Sequence, residues 1–191
     1  QWGADYPDCE DDADFARALL NHISVEHFKA PFVLEGGSIH VDGDGTLMTT
    51  EQCLLHPNRN PELDQEEIEQ LLREHLNVHN IIWLGEGLMD DETDGHVDNL
   101  ACFIKPGAVM ALISSDPEDE NYDVLQDNLL RLKHAKDARE RSLEIITVEQ
   151  PEARWKKDER LAQSYINFYL PNNGIMMPAF NDPVHDDQAR E

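Results

Sequence analysis

The stretch Ser-Ile-His-Val-Asp-Gly-Asp-Gly-Thr-Leu-Met-Thr, residues 38–49, predicts a β-hairpin and sets the pattern for the rest of the chain. Ser38 to Val41 and Thr46 to Thr49 are short strand-like runs, and the Asp-Gly-Asp-Gly between them is a strong signal for a tight turn. A chain that reverses here presents two antiparallel strands, which later segments can extend into a sheet.

A helix and a buried strand are predicted directly after this hairpin. Apolar residues recur at helical spacing between about Pro61 and Leu76, and Asn60 is the candidate N-cap in front of them. The run from Ile81 to Leu84 is short and wholly apolar, which is typical of a strand with both faces covered. Residues 31–85 therefore correspond to one β-β-α-β unit.

The same order of strands and helix recurs in residues 86–150. The repeating segments are Leu100 to Ile104, Val109 to Ile113, the helical stripe Tyr122 to Leu132, and Leu143 to Val148. Residues 151–191 begin a further unit with the strand-like runs Tyr165 to Leu170 and Ile175 to Pro178, and we expect the chain to end before its helix.

Residues 1–30, with a helix from Asp11 to Ile23, are assigned to the end of a preceding unit. The predicted fold class is therefore α/β. We expect a single domain that forms an incomplete α/β propeller of repeated β-β-α-β units.

The composition favours a folded domain with cationic partners. A hydrophobic content of 40% over 191 residues is enough for a core, while 40 acidic against 15 basic residues give a formal charge of −25. This charge argues against nucleic-acid binding, which needs Lys and Arg for the phosphates. No apolar run approaches the length that spans a bilayer, so we expect no membrane partner.

The three cysteines, Cys9, Cys53 and Cys102, lack the spacing of a disulfide framework or of a zinc site. We therefore predict a protein of the reducing cytoplasm without a zinc centre. Cys9 and Cys53 have no partner motif and are interpreted as structural.

A calcium loop is an alternative interpretation of residues 40–51. Asp42, Asp44 and Glu51 fall at ligand positions of such a loop. However, its first position is His40, a softer donor than the carboxylate that calcium prefers, and the preceding residues are strand-like rather than helical. The hairpin is the favoured prediction for this segment.

The segment Asp-Asp-Glu-Thr-Asp-Gly-His-Val-Asp-Asn, residues 90–99, surrounds one histidine with carboxylates. If it is extended, Asp94, His96 and Asp98 lie on one face, because side chains two residues apart point the same way. Carboxylates favour the protonated imidazole, which can donate a proton, and a carboxylate can accept two N–H bonds from a guanidinium. The alternative is a solvated acidic loop.

A second candidate carboxylate lies in Leu-Glu-Gly-Gly-Ser, residues 34–38. Two glycines there allow close backbone approach, and Glu35 stands at the edge of an apolar run. Glu35 could orient a histidine from a neighbouring unit or bind the amides of its own turn.

Six motifs of this chain resemble those of the agmatine deiminases, within the wider peptidyl-arginine deiminase group of guanidine-modifying enzymes. They are Leu-Glu-Gly-Gly-Ser-Ile-His at 34–40, Leu47 to Thr50, His-Pro-Asn-Arg-Asn-Pro at 56–61, Asp91 to Asn99, Ser-Tyr-Ile-Asn-Phe-Tyr at 164–169 and Pro-Ala-Phe-Asn-Asp-Pro at 178–183. The resemblance implies a pentein-like, five-bladed α/β propeller. It also implies hydrolysis of agmatine to N-carbamoylputrescine and ammonia, without metal or cofactor.

The resemblance also implies roles for individual residues. It places the general acid/base on His96, the residue that orients it on Glu35, and the guanidinium-binding carboxylate on Asp98; Asp94, on the same predicted face, is the second candidate for substrate binding. The family's nucleophilic cysteine lies in a Gly-rich segment near its C-terminus, and nothing after Phe180 matches that segment.

The chain is therefore expected to be the central half of such an enzyme, inactive alone and prone to self-association. Cys102 lies on the strand that follows Asp98 and, counting by two, shares the face of Asp98. A catalytic role is therefore conceivable for Cys102, but a buried structural thiol is favoured. A deiminase of free or peptidyl arginine remains an alternative, although Arg59 does not obviously provide the clamp that a substrate carboxylate needs. The other alternative is a non-catalytic module that binds polyamines or calcium.

Overall fold

The computed structural model describes residues 10–191, without the side chains of Glu10 and Ala13, so Cys9 lies outside the described residues. The strands are β1 (His40–Val41), β2 (Thr46–Thr50), β3 (Asn80–Leu84), β4 (Ala101–Lys105), β5 (Ala108–Ile113), β6 (Glu144–Glu149), β7 (Trp155–Lys156) and β8 (Glu159–Arg160). The α-helices are α1 (Glu10–His22), α2 (Glu51–Leu54), α3 (Gln65–Leu76), α4 (Tyr122–His134) and α5 (Pro183–Gln188). The described chain is therefore of the α/β class.

Two three-stranded sheets repeat one topology. In the first sheet β1 is antiparallel to β2 and β2 is parallel to β3; in the second, β4, β5 and β6 are related in the same way. In each unit a helix connects the two parallel strands, α3 in the first and α4 in the second. The predicted β-β-α-β order is thus confirmed for both, whereas the two sheets remain separate and do not close into a ring.

The first sheet is covered on both faces, which explains why its segments lack polar alternation. Leu47 of β2 packs with Ile68 and Leu72 of α3 on one face. Met48 and Ile82 on the other face join a larger cluster with β4, β5 and α4. Neighbouring residues of β2 thus enter different cores, as the two-residue period of a strand requires.

The predicted hairpin turn is confirmed. The carboxylate of Asp42 accepts from the amides of Asp44 and Thr46, both at 2.8 Å, and Gly43 and Gly45 adopt the positive φ angles that this turn needs. These bonds explain why the Asp-Gly-Asp-Gly sequence reverses the chain.

The proposed calcium ligands have other partners. Asp44 pairs with Arg139 at 2.8 Å and with Arg141 at 3.2 Å, and Glu51 accepts from Arg131 at 2.8 Å. Two carboxylates that neutralise arginines are poorly suited to bind a divalent cation, so the structure favours the hairpin interpretation of this segment.

The predicted start of α3 was wrong by one helical turn. The helix begins at Gln65, where Asp64 and Glu67 form a capping box with bonds of 2.9 and 3.0 Å. Asn60, the predicted N-cap, instead bonds both the amide and the carbonyl of Val33. Residues 55–64 therefore form a loop, which places Arg59 outside the helix.

The third unit departs most from its prediction. Where two strands were expected, one bridge pairs Tyr169 with Met176. The hairpin β7–β8 was not predicted. The expectation that the chain ends before a helix was wrong, since Asp182 caps the short helix α5.

The predicted helix at residues 11–23 is confirmed as α1, although Phe15, Leu19 and Ile23 of its apolar stripe are exposed. Within residues 10–191, none of the helices combines the length and the apolar character needed to cross a membrane.

Candidate active site

The loop that carries the candidate histidine is folded rather than extended, so the expected alternation along a strand was wrong. Asp91 accepts from both the amide and the hydroxyl of Thr93, at 3.0 and 2.7 Å, and Asp94 and Gly95 have positive φ angles. A 3₁₀ turn at Val97–Asn99 follows. Short Asp-to-backbone bonds of this kind compete with strand pairing and explain the difference.

His96 is buried and bonded to Glu35. Its Nε2 lies 2.8 Å from Glu35 Oε2, and only 5% of the residue is exposed. Because an ionised carboxylate only accepts hydrogen bonds, Nε2 carries the proton in this contact, and Nδ1 is the ring atom left for other chemistry. Glu35 stands directly before the 3₁₀ turn Gly36–Ser38, which leads into β1.

Gly37 lies beside both His96 and Asp98. A Cβ built on Gly37 would lie 2.5 Å from His96 Nδ1 and also 2.5 Å from Asp98 Oδ2. Both atoms therefore face the same small space in front of this glycine. A Cβ built on the neighbouring Gly36 would meet nothing within 4 Å, so the requirement for glycine on steric grounds is specific to Gly37.

Asp98 borders a cavity of about 220 Å³ together with Gly37, Cys102 and Asn167. Burial raises the pKa of Asp98, although the nearby His96 and a hydrogen bond from Asn167 oppose this effect. A carboxylate that is costly to ionise in the free protein, and that lies in a cavity, is typical of a site that binds a cation.

Glu35 differs from Asp98 in its electrostatic surroundings. Burial alone would raise the pKa of Glu35, but hydrogen bonds from His96 and Arg59 hold it below its ordinary value. Glu35 is therefore ionised when it orients His96.

Asp94 does not join His96 and Asp98 in the space before Gly37. Its carboxylate accepts from Arg59 Nη1 at 2.5 Å and from Asn58 Nδ2 at 3.0 Å. Although burial opposes it, these bonds lower the pKa of Asp94. The structure thus brings Glu35, His96 and Asp98 together and pairs Asp94 with an arginine.

Arg59 is the site residue whose place the sequence did not reveal. Its five hydrogen bonds go to Glu35 (from Nε and Nη2), to Asn58 and Asp94 (from Nη1) and to the carbonyl of Thr93 (from Nη2). The only signal was its position in His-Pro-Asn-Arg-Asn-Pro, between two motifs with candidate site residues.

Cys53 lies beside the site, and its thiol, Glu35 and His96 place one ligand atom each within 4.8 Å of one another. This set fits a metal poorly, because the guanidinium of Arg59 is 3.0 Å from the same Glu35 oxygen that His96 contacts. Burial also raises the pKa of Cys53 to about 12, whereas a metal ligand must be a thiolate.

Cys102 is buried, and this burial raises its pKa to about 11. Both thiols of the described chain are therefore protonated at neutral pH, and neither is activated as a nucleophile.

A histidine bonded to one carboxylate and bordering the same small space as another has the groups that general acid–base chemistry on a cationic substrate needs. The chain belongs to the Porphyromonas-type peptidyl-arginine deiminase family, whose family model matches residues 1–191.

Relatives of known name agree with this membership. A Legionella pneumophila (strain Philadelphia 1) protein, provisionally named agmatine deiminase, is 55% identical over 179 residues, which cover 94% of this chain and 51% of that protein. The agmatine deiminase of Stutzerimonas stutzeri is 44% identical over 207 residues, covering 98% and 56%. The chain thus spans about half the length of the curated relatives it matches.

Solved structures show the same relation. The agmatine deiminase of Enterococcus faecalis superposes with a TM-score of 0.87 at 36% identity, and the match covers 97% of this chain and 56% of that one. The α/β units described above are therefore those of this family.

Proposed function

We propose that this chain is the acid–base and guanidinium-binding half of an agmatine deiminase, which converts agmatine and water to N-carbamoylputrescine and ammonia. The observation that carries the proposal is the space before Gly37, which His96 Nδ1 and Asp98 Oδ2 both border. The names of the relatives support the choice of reaction.

Binding of the substrate falls to Asp98 in this proposal. A guanidinium is planar and offers N–H groups that a carboxylate can accept in pairs. Its positive charge would remove the cost of ionising Asp98 in a partly buried place. The same contact would hold the central carbon beside His96, which is the positioning that an otherwise unreactive cation needs.

In the first half-reaction, a cysteine thiolate adds to the guanidinium carbon and the bond to one terminal nitrogen breaks. Imidazolium at His96 Nδ1 gives its proton to that nitrogen, which leaves as ammonia, and an S-alkylthiouronium remains. The thiolate is assigned to a part of the complete protein that residues 1–191 do not contain. Burial keeps the thiols of Cys53 and Cys102 protonated, and Cys9 has no partner motif in the sequence.

In the second half-reaction, the neutral His96 Nδ1 takes a proton from water as the water oxygen adds to the same carbon. The carbon–sulfur bond then breaks and restores the thiolate, and the remaining hydroxyl proton passes to solvent as the urea product is released. Glu35 would stabilise the imidazole orientation in both halves through Nε2.

Agmatine fits the described residues better than arginine does. The carboxylate of free arginine calls for a cationic clamp, and the five hydrogen bonds of Arg59 already go to protein groups. Asp90, Asp91, Glu92 and Glu159 line a neighbouring cavity of about 700 Å³ together with Lys156 and Arg160. Acidic side chains outnumber basic ones there, which favours a substrate that ends in an amine.

We further propose that the two sheets are blades of a five-bladed propeller in the complete protein. We propose that the complete protein forms N-carbamoylputrescine, a precursor of putrescine, in the cytoplasm. By itself the chain would leave apolar side chains such as Phe28 and Ile175 uncovered and would self-associate.

A segment exchange tests the proposed function. This chain would replace the corresponding residues of the Legionella pneumophila protein, and ammonia release would be measured with agmatine, free arginine and a peptidyl arginine. We expect turnover of agmatine above that of both arginine substrates. His96→Ala and Asp98→Ala should each reduce kcat/KM by about 10²–10⁴.

Near-normal rates in either variant would refute the assigned roles. Faster turnover of an arginine substrate than of agmatine would refute the assigned substrate. The 191-residue chain alone should release no ammonia. Turnover by the chain alone that is abolished by Cys102→Ala would overturn the assignment of the nucleophile.

A further inference from the structure

We propose that Arg59 is a positioning residue, which fixes the ring of His96 by holding Glu35 and the loop of Asp94 at a set separation. The inference rests on the proposed function for its meaning in catalysis. The structural link itself is independent of that function and can be tested without turnover.

Arg59 uses all of its donors within the protein. A guanidinium has five N–H groups, and five hydrogen bonds leave Arg59: two to Glu35 Oε2 at 3.3 and 3.0 Å, and one each to Asn58, Asp94 and the Thr93 carbonyl. Only 1% of the side chain is exposed. A residue so enclosed and saturated acts on its neighbours, not on a substrate.

The neighbours belong to the two segments that carry the pair Glu35–His96. Glu35 precedes β1, whereas Thr93 and Asp94 lie two or three residues before His96. Arg59 Nη2 contacts both segments at once, with 3.0 Å to Glu35 Oε2 and 2.7 Å to the Thr93 carbonyl. The two ends of the His96–Glu35 hydrogen bond are thus tied to one rigid, planar group.

The charge pattern makes this tie necessary. Without Arg59, the carboxylates of Glu35 and Asp94 would repel each other, and Glu35 would be free to turn away from Nε2. Glu35 Oε2 would also lose two of the three hydrogen bonds that fix it, those from Arg59. His96 would then no longer be confined to the form with Nε2 protonated and Nδ1 toward Asp98.

Lysine cannot replace this function. An ammonium is a compact charge with three donors and no planar fork, so it can neutralise one carboxylate but cannot hold all four acceptor groups in one plane. Arg59→Lys therefore keeps the charge and removes the geometry, which makes it the informative variant.

The test is ¹⁵N NMR of the His96 ring in the 191-residue chain, at a pH where the ring is neutral. In the unmodified chain we expect one tautomer, with the proton on Nε2. In Arg59→Lys the ratio of the Nε2-protonated to the Nδ1-protonated form should fall by about fivefold, the loss of roughly one hydrogen bond. Glu35→Gln gives the reference spectrum for a ring released from its carboxylate.

Arg160 provides a matched control. It is equally buried and joins two other carboxylates, Asp119 at 2.8 Å and Glu120 at 3.1 Å. Arg160→Lys should leave the His96 signals unchanged. If it moves them as much as Arg59→Lys does, or if a folded Arg59→Lys leaves them unchanged, the proposal is overturned.

If Arg59→Lys does not fold, the same His96 NMR measurement is made on Asp94→Asn, which weakens only one contact of Arg59. We expect a smaller shift of the His96 signals in the same direction, and unchanged signals would count against the proposal. In the segment exchange, Arg59→Lys should lower kcat while KM stays nearly constant, because Asp98 is untouched. If the exchange protein is inactive but the His96 signals still change in Arg59→Lys as expected, the proposed function is contradicted and the positioning role of Arg59 is supported.

Discussion

The two β-β-α-β units share a sheet topology but differ in how they connect β-hairpin to helix. In the second unit, β5 leads to α4 through residues 114–121. In the first unit, the connection from β2 to α3 is longer and includes α2 and Arg59. The connection that departs from the repeat therefore supplies Arg59, while Glu35 precedes β1, and His96 and Asp98 lie between β3 and β4.

This difference separates scaffold from function within one chain. The α2 region also supports the loop before His96: Thr50 donates to the carbonyl of Gly95 at 2.6 Å, and Gln52 accepts from the amide of Gly87 at 2.6 Å. The regular parts of both units bury apolar faces, and the polar contacts of the site lie in the loops, from Glu35 and Arg59 to Thr93, Asp94 and His96. Such a division is typical of enzymes, whose loops act on a rigid framework.

The largest expected effect tests whether the two units are equivalent as scaffold. Leu72 of α3 and Leu125 of α4 are both almost completely buried, and each contributes to a different apolar cluster. Leu72→Ala and Leu125→Ala should each lower the free energy of unfolding by about 2–5 kcal/mol, through lost burial and the cavity left behind. Urea denaturation followed by circular dichroism measures both.

The two losses should be similar and each transition should remain single, because Met48 and Ile82 of the first sheet pack into the cluster of the second unit. Two separate transitions in either variant would show that the units unfold independently. Leu130→Ala on the exposed face of α4 is the control, and it should change stability by less than about 0.5 kcal/mol.

The next largest effect concerns Gly37, which borders the candidate site between Glu35 and β1. In Gly37→Ala the new methyl group would clash with His96 Nδ1 and Asp98 Oδ2, so these side chains must move. We expect a loss of about 1–3 kcal/mol of stability, together with a shift of the His96 ring signals in NMR spectra.

Gly36→Ala is the matched control, since a Cβ there meets nothing within 4 Å. It should leave the His96 signals unchanged and alter stability much less. Equal responses of the two alanine variants would mean that the space before Gly37 is not the confined one described here.

The scaffold was predictable from sequence because it rests on local signals. The Asp-Gly-Asp-Gly turn, the apolar stripe of α4 and the short apolar run of β3 each imply their structure within a few residues. The order of elements in both units followed from these signals.

The site was predictable only in part, because its geometry depends on contacts distant in sequence. Glu35 and His96 were linked through motif resemblance, but the path by which they meet involves Arg59, 24 residues from Glu35 along the chain. The folded form of residues 90–96 depends on Asp91 bonding to Thr93, which competes with the strand that the alternation suggested. The predicted start of α3 was wrong in part for the same reason, because Asn60 bonds Val33, 27 residues away, while the local Asp64–Glu67 capping box begins the helix.

The smallest effect contrasts two carboxylates of the same site. Ionised Asp98 costs the folded state free energy, because burial raises its pKa. Asp98→Asn should therefore raise the melting temperature at neutral pH by roughly 2–4 °C. The cost is present above the folded pKa of Asp98 and vanishes as pH falls through it, so the gain should disappear in acid. Thermal melts from neutral pH into the acid range measure this gain.

Glu35 should respond with the opposite sign. Its folded pKa lies below the ordinary value of 4.5, so its ionised form stabilises the protein above that pH, and the contribution is lost as pH falls through the folded pKa. Glu35→Gln should lower the melting temperature at neutral pH and match the unmodified chain in acid. Opposite signs would identify Glu35 as part of the framework and Asp98 as a group held at a cost for a cation; equal signs would mean that the two carboxylates are not divided in this way.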